Sequence, residues 1–525
     1  MKQLSTTLLL LASLALTACG GDDSTDTGNN NNTNGNQNTP PANGTLTSLE
    51  AKRELAFPGA DGGASHITGA AGAAGTFADK KIPNYSVYVV SNLNDSGLGS
   101  LRNAVKASNG IVVFTVGGQI NLKSKLEITG SNLTIAGQTA PGDGITIAGY
   151  PVSLSKATNV ILRYLRFRMG DQNGKEDNFD PEDGDPLGGK DCTKVLIDHC
   201  SISWSTDECA SFSRIEDFTL QYCIISESLL KSIHVKGNHG YGGIWGGRNA
   251  SYHHNLLAHH ENRTPRFDHS YVGGEYRGPI DYVNNVVYNR GGGNGCYGGE
   301  TNSKDNIFHI NMVNNYIKSG NNTTSKTRLL QLSSHCTNCV KGSGEAYAAQ
   351  YYLDGNLIDG KAASWDNVIT DGSAETRDKA AIKANAQLTS RWTTGLTPLS
   401  FQESADAAYE TVLKYAGASL KRDAVDERIV NDVKNGTGYI INSVDETPGY
   451  PTLQSGTPIV DTDNDGMPDA WELEQLKALG VTGKTISDFK PNAYNITAKY
   501  TNLEVYINSL VVDTFPAGAN ASAIK

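Results

Sequence analysis

Short apolar runs rich in β-branched and aromatic residues recur along the chain from about residue 110. Their starts lie roughly 20 to 40 residues apart, turn residues separate them, and no long amphipathic helix intervenes. Regular short strands at this period predict a solenoid, here a parallel β-helix with one strand per face in each coil. A sandwich or a propeller is the competing fold, and the chain carries no blade motif of a propeller. The runs cover residues 111–116, 133–136, 160–167, 195–197, 218–225, 252–257, 282–288, 308–317 and 351–358.

Four asparagines each close one of these runs, namely Asn255, Asn285, Asn315 and Asn356. Residues at the same point of successive coils stack in a solenoid. We therefore expect these asparagines to form a ladder at one corner. The alternative is that asparagine is simply common in turns.

The apolar pattern changes near residue 400. At 404–420 and 423–433, apolar residues recur at three- and four-residue spacing, which predicts two helices. We expect both helices to pack on the β domain rather than to form a separate unit. The predicted fold is thus all-β, a parallel β-helix over residues 49–445 with packed C-terminal helices, followed by a small helical extension over 446–525.

The composition agrees with this fold and narrows the choice of partner. Charged residues make up only 19% of the chain and 57 residues are glycine, which suits many strands joined by tight turns. The formal net charge is −11 and no basic run stands out, so we expect no nucleic-acid partner. A polyanionic substrate would be repelled unless bound cations or a local arginine cluster offset this charge.

The N-terminus has the pattern of an export signal. Lys2 is followed by an apolar run at 8–16, which is too short to span a membrane as a mature helix. Small residues before Cys19 resemble the lipobox of bacterial lipoproteins, which predicts a signal peptide over 1–18 and lipidation at Cys19. An ordinary secretory peptide is the alternative. Residues 19–48 have almost no apolar content and should form a disordered tether.

These features predict an exported protein, either an outer-membrane or cell-surface lipoprotein or a secreted one. Gly20 rather than an aspartate follows the cysteine, which favours the outer membrane. We expect contact with a membrane only through the lipid anchor, and a monomer.

A segment near the C-terminus fits the twelve-residue calcium loop of the EF-hand. Acidic residues occupy positions 1, 3, 5, 9 and 12, and Gly466 occupies the sixth position, where a sharp turn is needed. A solvated acidic turn is the alternative. We expect a structural calcium site, because only one such loop is present. Its predicted ligands are Asp461, Asp463, Asp465, Asp469 and Glu472.

The central stretch from Asp185 to Arg266 combines carboxylates with fixed cationic side chains. Carboxylates are the ligands that hard cations prefer, and arginine and lysine bind anionic groups. Such a set suits a site that grips an acidic substrate and stabilises negative charge developing on it.

Five segments in this order and spacing resemble pectate lyases of polysaccharide lyase family 1, over about residues 55–450. The segments are AFPGADG at 56–62, LNDSGLGSLR at 93–102, IDH at 197–199, KGNHGYGGIWGG at 236–247 and RTPR at 263–266.

The resemblance implies a right-handed parallel β-helix and calcium-dependent β-elimination of polygalacturonate, an acidic polysaccharide. It assigns calcium binding to Asp185 and Asp207, and removal of the C5 proton to Arg263. It also makes Lys236 and Arg266 part of the catalytic set, as contacts to the substrate. Cations around the reacting centre would stabilise the dianionic transition state more than the ground state.

The chain departs from the family pattern at three points. Ser211 stands where the family has its third calcium ligand; either Glu208 or Asp183 substitutes for it, or the ion binds more weakly. Lys231 is an alternative to Lys236, because the spacing differs. Asp268 stands where the family often has another arginine.

Other polar residues in this stretch have less specific patterns. Asp198 and His199 are expected to be structural hydrogen-bonding residues. His253, His254, His259 and His260 invite a metal interpretation, but alternate residues of a strand face opposite ways. We expect these four to be core and surface histidines.

Three rival functions follow from the same residues. A glycoside hydrolase would need paired acid and base carboxylates at a fixed separation, and its motifs are not evident. A pectin lyase, or a lyase for another uronide polymer, is closer, but Asp185 and Asp207 favour the calcium-dependent form. A glycan-binding surface lipoprotein without activity is the third.

Overall fold

The chain winds into coils whose strands stack into parallel sheets, as the repeat predicts. The computed structural model describes residues 45–77, 80–174, 184–268, 277–293, 295–299, 307–333, 348–371, 378–519 and 521. All of them belong to one compact unit, residues 41–525. The predicted signal peptide, Cys19 and the tether up to residue 44 lie outside the described residues, so those predictions stay untested.

Each central coil contributes one strand to each of three sheets. One coil, for example, runs through Thr193–Asp198, Ser201–Ser203 and Ala210–Ser213. Each of these strands pairs in parallel with its counterpart in the next or the preceding coil. This topology is that of an all-β parallel β-helix, which confirms the predicted fold class.

The first sheet has ten parallel strands. They are Ser86–Val90, Gly110–Phe114, Ser131–Ala136, Thr158–Arg163, Thr193–Asp198, Glu216–Gln221, Arg248–His253, Ile280–Val283, His309–Val313 and Gln350–Asp354.

The second sheet has nine parallel strands and a short antiparallel one, Lys361–Ala362, at its edge. The parallel strands are Gly118–Asn121, Ile145–Ala148, Leu165–Arg168, Ser201–Ser203, Ile224–Ser226, Leu256–Ala258, Val286–Tyr288, Tyr316–Lys318 and Leu357–Ile358.

The third sheet consists of two four-stranded halves joined by single bridges through Ile244 and Trp245. Its strands are Leu126–Glu127, Val152–Ser153, Leu187–Lys190, Ala210–Ser213, Arg266–Phe267, Tyr297–Gly298, Leu330–Leu332 and Val368–Thr370. A separate antiparallel pair joins Thr76–Phe77 to Lys80–Lys81.

The corner between the first two sheets explains one difference from the sequence prediction. The apolar run at 160–167 was expected to be one strand, but it forms Thr158–Arg163 and Leu165–Arg168. Tyr164 between them has a positive φ of 56°, which bends the chain sharply. The same left-handed conformation recurs at this corner in other coils, at His199, Tyr222, His254, Asn284 and Asn314.

The predicted asparagine ladder is confirmed at this corner. Asn255 Nδ2 donates to Asn285 Oδ1 at 3.0 Å, and Asn285 Nδ2 donates to Asn315 Oδ1 at 3.1 Å. Asn315 Nδ2 continues the ladder to Asn356 Oδ1 at 2.9 Å. All four side chains are buried, so each amide satisfies polar groups that the core would otherwise leave unpaired.

The inward faces of the three sheets enclose one continuous apolar core, to which Leu162, Ile202 and Phe212 contribute from successive faces. Burying this stack removes most of the large apolar side chains from water, which is the main stabilising contribution.

The two helices predicted after residue 400 are present and pack on the outer face of the second sheet. They span Ala405–Tyr415 and Ala424–Asn435, capped by Ser404 and Asp423. Their buried residues contact the outward side chains of that sheet, such as Ile224. The first helix ends earlier than predicted, because Ala416 is extended and the Gly417 N–H donates to Tyr222 O.

The C-terminal segment covers the outer face of the first sheet. Met467, Leu503 and Tyr506 pack there against Ile111 and Val113. The remaining α-helices are Leu101–Ala104, Lys379–Asn385, Asp469–Ala478 and Asn502–Ser509. The 3-10 helices are Gly69–Gly72, Gly137–Thr139, Trp365–Asn367, Val444–Glu446, Ile486–Asp488, Val512–Thr514 and Ala517–Ala519. Within the described residues, no helix is both long and apolar enough to span a membrane.

Candidate active site

Three carboxylates from two neighbouring coils meet beside the third sheet. Asp185 lies just before the strand Leu187–Lys190, and Asp207 and Glu208 lie just before the next strand, Ala210–Ser213. Because these strands pair in parallel register, the segments that precede them lie side by side. Oxygens of the three carboxylates lie within 4.8 Å of one another, and the Glu208 N–H donates to Asp185 Oδ1 at 3.0 Å. The two predicted calcium ligands of this stretch are therefore brought together.

Arg263 lies against this carboxylate cluster. Its guanidinium forms an ion pair with Glu208 and covers the ring of Tyr241, with Cζ 4.3 Å from the ring centroid. Parallel bridges join Glu208 to Tyr241 and Tyr241 to Asn262, so three successive coils bring carboxylate, ring and arginine into one line. The residue predicted as the base is therefore beside the predicted metal ligands.

The glycine-rich segment 240–247 fixes the backbone of the two arginines. Gly243 donates its N–H to Arg263 O at 2.8 Å and accepts the Arg266 N–H at 3.0 Å. A Cβ atom at Gly243 would overlap the carbonyl oxygen of Ala210, so only glycine allows this close approach. The motif thus serves to pair this segment with the coils on both sides.

Arg266 begins the strand Arg266–Phe267 and is half-buried on the outer face of the third sheet. Its register partner is Tyr297, and Arg266 Cζ lies 5.6 Å from that ring centroid. Arg266 therefore lies on the outer face of the sheet, three residues after Arg263 along the chain.

Small residues line the same face beside Asp185. Ser153, Gly188 and Ser211 are register partners on three successive coils. They line a shallow cavity of about 180 Å³ that Asp185 also borders.

Ser211 does not take part in the carboxylate cluster. Its Oγ accepts the Ile244 N–H at 3.0 Å, so the hydroxyl joins the third sheet to the glycine-rich segment. Glu208 supplies the third carboxylate instead. Asp183, the other residue considered as a substitute, lies outside the described residues.

Lys231 and Lys236 lie on the loop that precedes the glycine-rich segment, and both side chains are exposed. The loop is closed by a hydrogen bond from the His239 N–H to Leu230 O at 2.9 Å. The Lys236 N–H donates to His234 Nδ1 at 3.2 Å, which ties this lysine to the site through its backbone. The assignment of the substrate contact to Lys236 stays a prediction.

Two histidines contact Asp207, namely His234, which lies outside every motif, and His239, which lies in the glycine-rich motif but was assigned no role from the sequence. Their Nε2 atoms lie 3.5 and 3.7 Å from the two Asp207 oxygens, and their rings stack with centroids 3.8 Å apart. Burial lowers the pKa of His234, although the Asp207 charge opposes this shift. The signal for them was their position on either side of Lys236.

Asp268 is fully buried, and a Cβ on Gly246 would overlap its carboxylate. The position where the family often has a further arginine is therefore buried here.

The other polar residues singled out in the sequence belong to the core. Asp198 and His199 are fully buried at the first corner, where His199 Nδ1 lies 2.7 Å from Asp198 Oδ1 and Nε2 lies 3.0 Å from Thr514 O. Their expected structural role is confirmed. The four histidines His253, His254, His259 and His260 are buried as well.

The predicted C-terminal calcium loop brings its acidic residues together. Carboxylate oxygens of Asp461, Asp463 and Asp465 lie within 4.8 Å of one another. Gly466 has a positive φ of 90°, as the sharp turn requires, and its N–H donates to Asp461 Oδ2 at 2.9 Å. Asp469 is turned outward in part, where its Oδ1 accepts the Thr462 N–H.

Glu472 is the strongest sign that a cation belongs in this loop. Its side chain is fully buried, and neither carboxylate oxygen has a hydrogen-bond partner among the described residues. Burial, followed by the charges of Asp465 and Asp463, raises the pKa of Glu472 to about 9. Burial likewise raises the pKa of Asp465 to about 7. The donor set therefore fits a hard cation such as calcium.

The first cluster fits such a cation too, because three carboxylates converge and Asp207 Oδ1 is buried without a hydrogen-bond partner in the described part of the chain. A cation there, with Arg263 beside it, would place positive charge on two sides of an anionic group on a substrate.

Curated relatives match the chain over nearly their full length. A probable pectate lyase C of Neosartorya fischeri is 35% identical over 470 residues, covering 88% of this chain and 95% of the relative. The probable pectate lyase C of Aspergillus flavus is 34% identical over 475 residues, with the same coverage. That of Emericella nidulans is 33% identical over 469 residues, covering 88% of this chain and 94% of the relative.

Solved structures with a similar course of the chain include Jun a 1, the major allergen from cedar pollen. It is 17% identical, with a TM-score of 0.45, covering 68% of this chain and 92% of the allergen. A pectate lyase bound to a hexasaccharide is 16% identical, with a TM-score of 0.43, covering 71% of this chain and 99% of that enzyme. No protein-family model matches the chain. On the strength of the full-length relatives, the chain belongs to the pectate lyase family and is a polysaccharide lyase.

Proposed function

We propose that the protein cleaves polygalacturonate by calcium-dependent β-elimination. The observation that carries the proposal is the convergence of Asp185, Asp207 and Glu208 with Arg263 on the outer face of one sheet. Hydrolysis would need a carboxylic acid and a carboxylate on either side of the bond. A carboxylate cluster with an arginine beside it suits proton removal next to a uronate carboxylate instead.

Asp185, Asp207 and Glu208 would hold the calcium ion of the active site. When bound, calcium neutralises the uronate carboxylate and thereby acidifies the adjacent C5 proton. The negative charge of the three carboxylates also offsets the repulsion between the calcium ion and the arginine beside it.

Arg263 is the proposed base: as a neutral guanidine it accepts the C5 proton, the C4–C5 double bond forms, and the C4–O bond breaks, with the leaving oxygen taking up a proton. Arginine is normally protonated, so it must first lose a proton. We therefore expect an alkaline optimum, with Arg266 and Lys236 binding substrate carboxylates.

A lyase for methylated pectin or another uronide is the second candidate. Two observations favour it, namely the hydrogen-bonded Ser211 in place of an acidic ligand and the buried Asp268 in place of an arginine. Both remove charge that a polygalacturonate lyase would use.

The test is an incubation with polygalacturonate and calcium at alkaline pH, followed by ultraviolet absorbance of the unsaturated product, with an EDTA-treated sample alongside. A rise that EDTA abolishes is the expected result. Sugar release without the rise would indicate hydrolysis, and reaction with methylated pectin alone would favour the second candidate. No reaction with either would leave a glycan-binding lipoprotein.

The same proposal covers the ends of the chain. We infer that Asp461, Asp463, Asp465, Asp469 and Glu472 bind a structural calcium ion. Export with a lipid on Cys19 also remains part of the proposal, and mass spectrometry of the mature N-terminus tests it.

A further inference from the structure

Asp207 is the one member of the carboxylate cluster that two imidazoles face. His234 Nε2 lies 3.5 Å from Asp207 Oδ2, and His239 Nε2 lies 3.7 Å from Asp207 Oδ1. The His234 side chain is fully buried, and its Nε2 has no other partner among the described residues. If this buried side chain served only for packing, an apolar residue would fill the space better, because burying an imidazole nitrogen without a partner costs free energy.

The backbone settles which nitrogen of His234 carries the proton. His234 Nδ1 accepts the Lys236 N–H at 3.2 Å, so in the neutral ring the proton lies on Nε2, which faces Asp207. His234 therefore presents its Nε2–H to the Asp207 carboxylate across 3.5 Å, and its Nδ1 accepts the N–H from the lysine loop.

The same geometry argues against a metal bound directly by the two histidines. The rings are stacked, with centroids 3.8 Å apart and an interplanar angle of 13°. A metal ion lies close to the plane of each imidazole that binds it, and one ion cannot lie in two planes stacked face to face. Binding through Nε2 would also require the proton to move to Nδ1, against the Lys236 N–H.

We propose that His234 and His239 are positioning residues, which hold the Asp207 carboxylate in the orientation that binds calcium together with Asp185 and Glu208. This inference rests on the proposed calcium site. Donors behind a ligand carboxylate fix its orientation, and their loss typically weakens metal affinity about 10- to 100-fold.

His234 also links calcium binding to the substrate contact. The loop that carries Lys236 is closed by the bond from the His239 N–H to Leu230 O, and its middle is tied to the His234 ring. Removing the ring would therefore loosen the ligand and the lysine loop together. We expect a variant without it to show weaker calcium binding and, at saturating calcium, a higher KM with a smaller change in kcat.

The experiment is a calorimetric titration of the full mature chain with calcium. Asp207→Asn first identifies the binding phase that belongs to this cluster rather than to the C-terminal loop. His234→Ala should raise the Kd of that phase about tenfold or more. His234→Gln should retain most of the affinity, because its amide N–H donates to the same carboxylate.

His309→Ala is the matched control, since this half-buried ring also stacks, on Trp392 at 3.5 Å, but in the first sheet. It should leave the phase unchanged, and equal melting temperatures would show that the parent fold is kept. If His234→Ala fails to fold, His239→Ala replaces it, since that ring is partly exposed.

An unchanged Kd in His234→Ala, with the phase still lost in Asp207→Asn, overturns the positioning role and leaves the proposed function standing. Retention of both phases in Asp207→Asn overturns the calcium site itself, and the inference with it. A loss of affinity that His234→Gln does not restore would show that packing, rather than the donor, is what matters.

Discussion

Removing calcium should destabilise this protein more at alkaline than at acidic pH, because of Glu472. The fully buried carboxylate has a pKa of about 9 in the folded chain, against 4.5 as its ordinary value. The folded state therefore binds one proton more than the unfolded state between these two values. Stability from this group is complete below the unfolded pKa and is lost as pH rises towards the folded pKa.

The size of the effect follows from the same two values. At pH 7 the folded chain still holds the proton that the unfolded chain has released, so the free energy of unfolding falls by about 1.4 kcal/mol for each pH unit above 4.5. Without a bound cation, Glu472 alone therefore lowers the free energy of unfolding by about 3 kcal/mol between acidic pH and pH 7. Asp465, whose pKa burial raises to about 7, acts in the same direction. Calcium bound in this loop would remove the penalty, because the ion stabilises the ionised form of Glu472 and Asp465.

Urea unfolding with calcium and with EDTA at pH 5 and pH 8 measures this directly. We expect the EDTA sample to lose stability between the two pH values and the calcium sample to lose much less. Glu472→Gln should be more stable than the parent in EDTA at pH 8, yet gain less from calcium. Glu474→Gln, an exposed neighbour on the same helix, is the control. Equal pH dependence of the parent and Glu472→Gln in EDTA would refute the reasoning.

Three further outcomes are expected. Arg263→Ala should lower kcat by about 10²- to 10⁴-fold. Arg214→Ala, which removes a partly exposed arginine paired with Asp191, should not, and an Arg263→Ala variant of normal activity would exclude this residue as the base. Asn285→Ala should lower the free energy of unfolding by about 1–3 kcal/mol, because its ladder neighbours lose their partners, and a loss no larger than in exposed Asn321→Ala would contradict this. Asp423→Asn should cost about 3–5 kcal/mol above pH 5, because buried Arg168 loses a carboxylate. Burial raises the pKa of Asp423, but the charge of Arg168 outweighs burial and the net pKa is lowered. In the parent this stabilisation is therefore lost as pH falls through the folded pKa, which unfolding measured at a series of acidic pH values checks.

The coils could be predicted because their signal repeats. Each turn of the solenoid needs apolar residues on three inward faces and a residue that satisfies the corner, so Asn285 and Asn315 recur at the same point. The corners themselves could not be predicted, because Tyr164 and His199 adopt the left-handed conformation there. Glycine or asparagine at these positions would have indicated it. Stacked rings, with centroids 4.9 Å apart, stabilise these two residues there.

The candidate site was predictable in part. Asp185, Asp207 and Arg263 matched a motif, but their contacts depend on the register between coils, and loop lengths set that register rather than any local pattern. The pairing of Glu208 with Arg263 therefore had no signal in the sequence. The position of His234 and His239 beside Lys236 was visible in the sequence, but their contact with Asp207 was not, because the loop that carries them folds back on itself.

The parallel stacking of coils also fixes the spacing of side chains along the axis of the β-helix. Asp185, Asp207 and Arg263 belong to different coils, and neighbouring strands are about 4.8 Å apart. Distances between groups of the site along this axis can then change only in whole steps, by loss or gain of a coil. Lengthening a loop between strands leaves every step unchanged. Selection can thus vary the loops around the candidate site freely, while the spacing between its charged groups along the axis stays fixed.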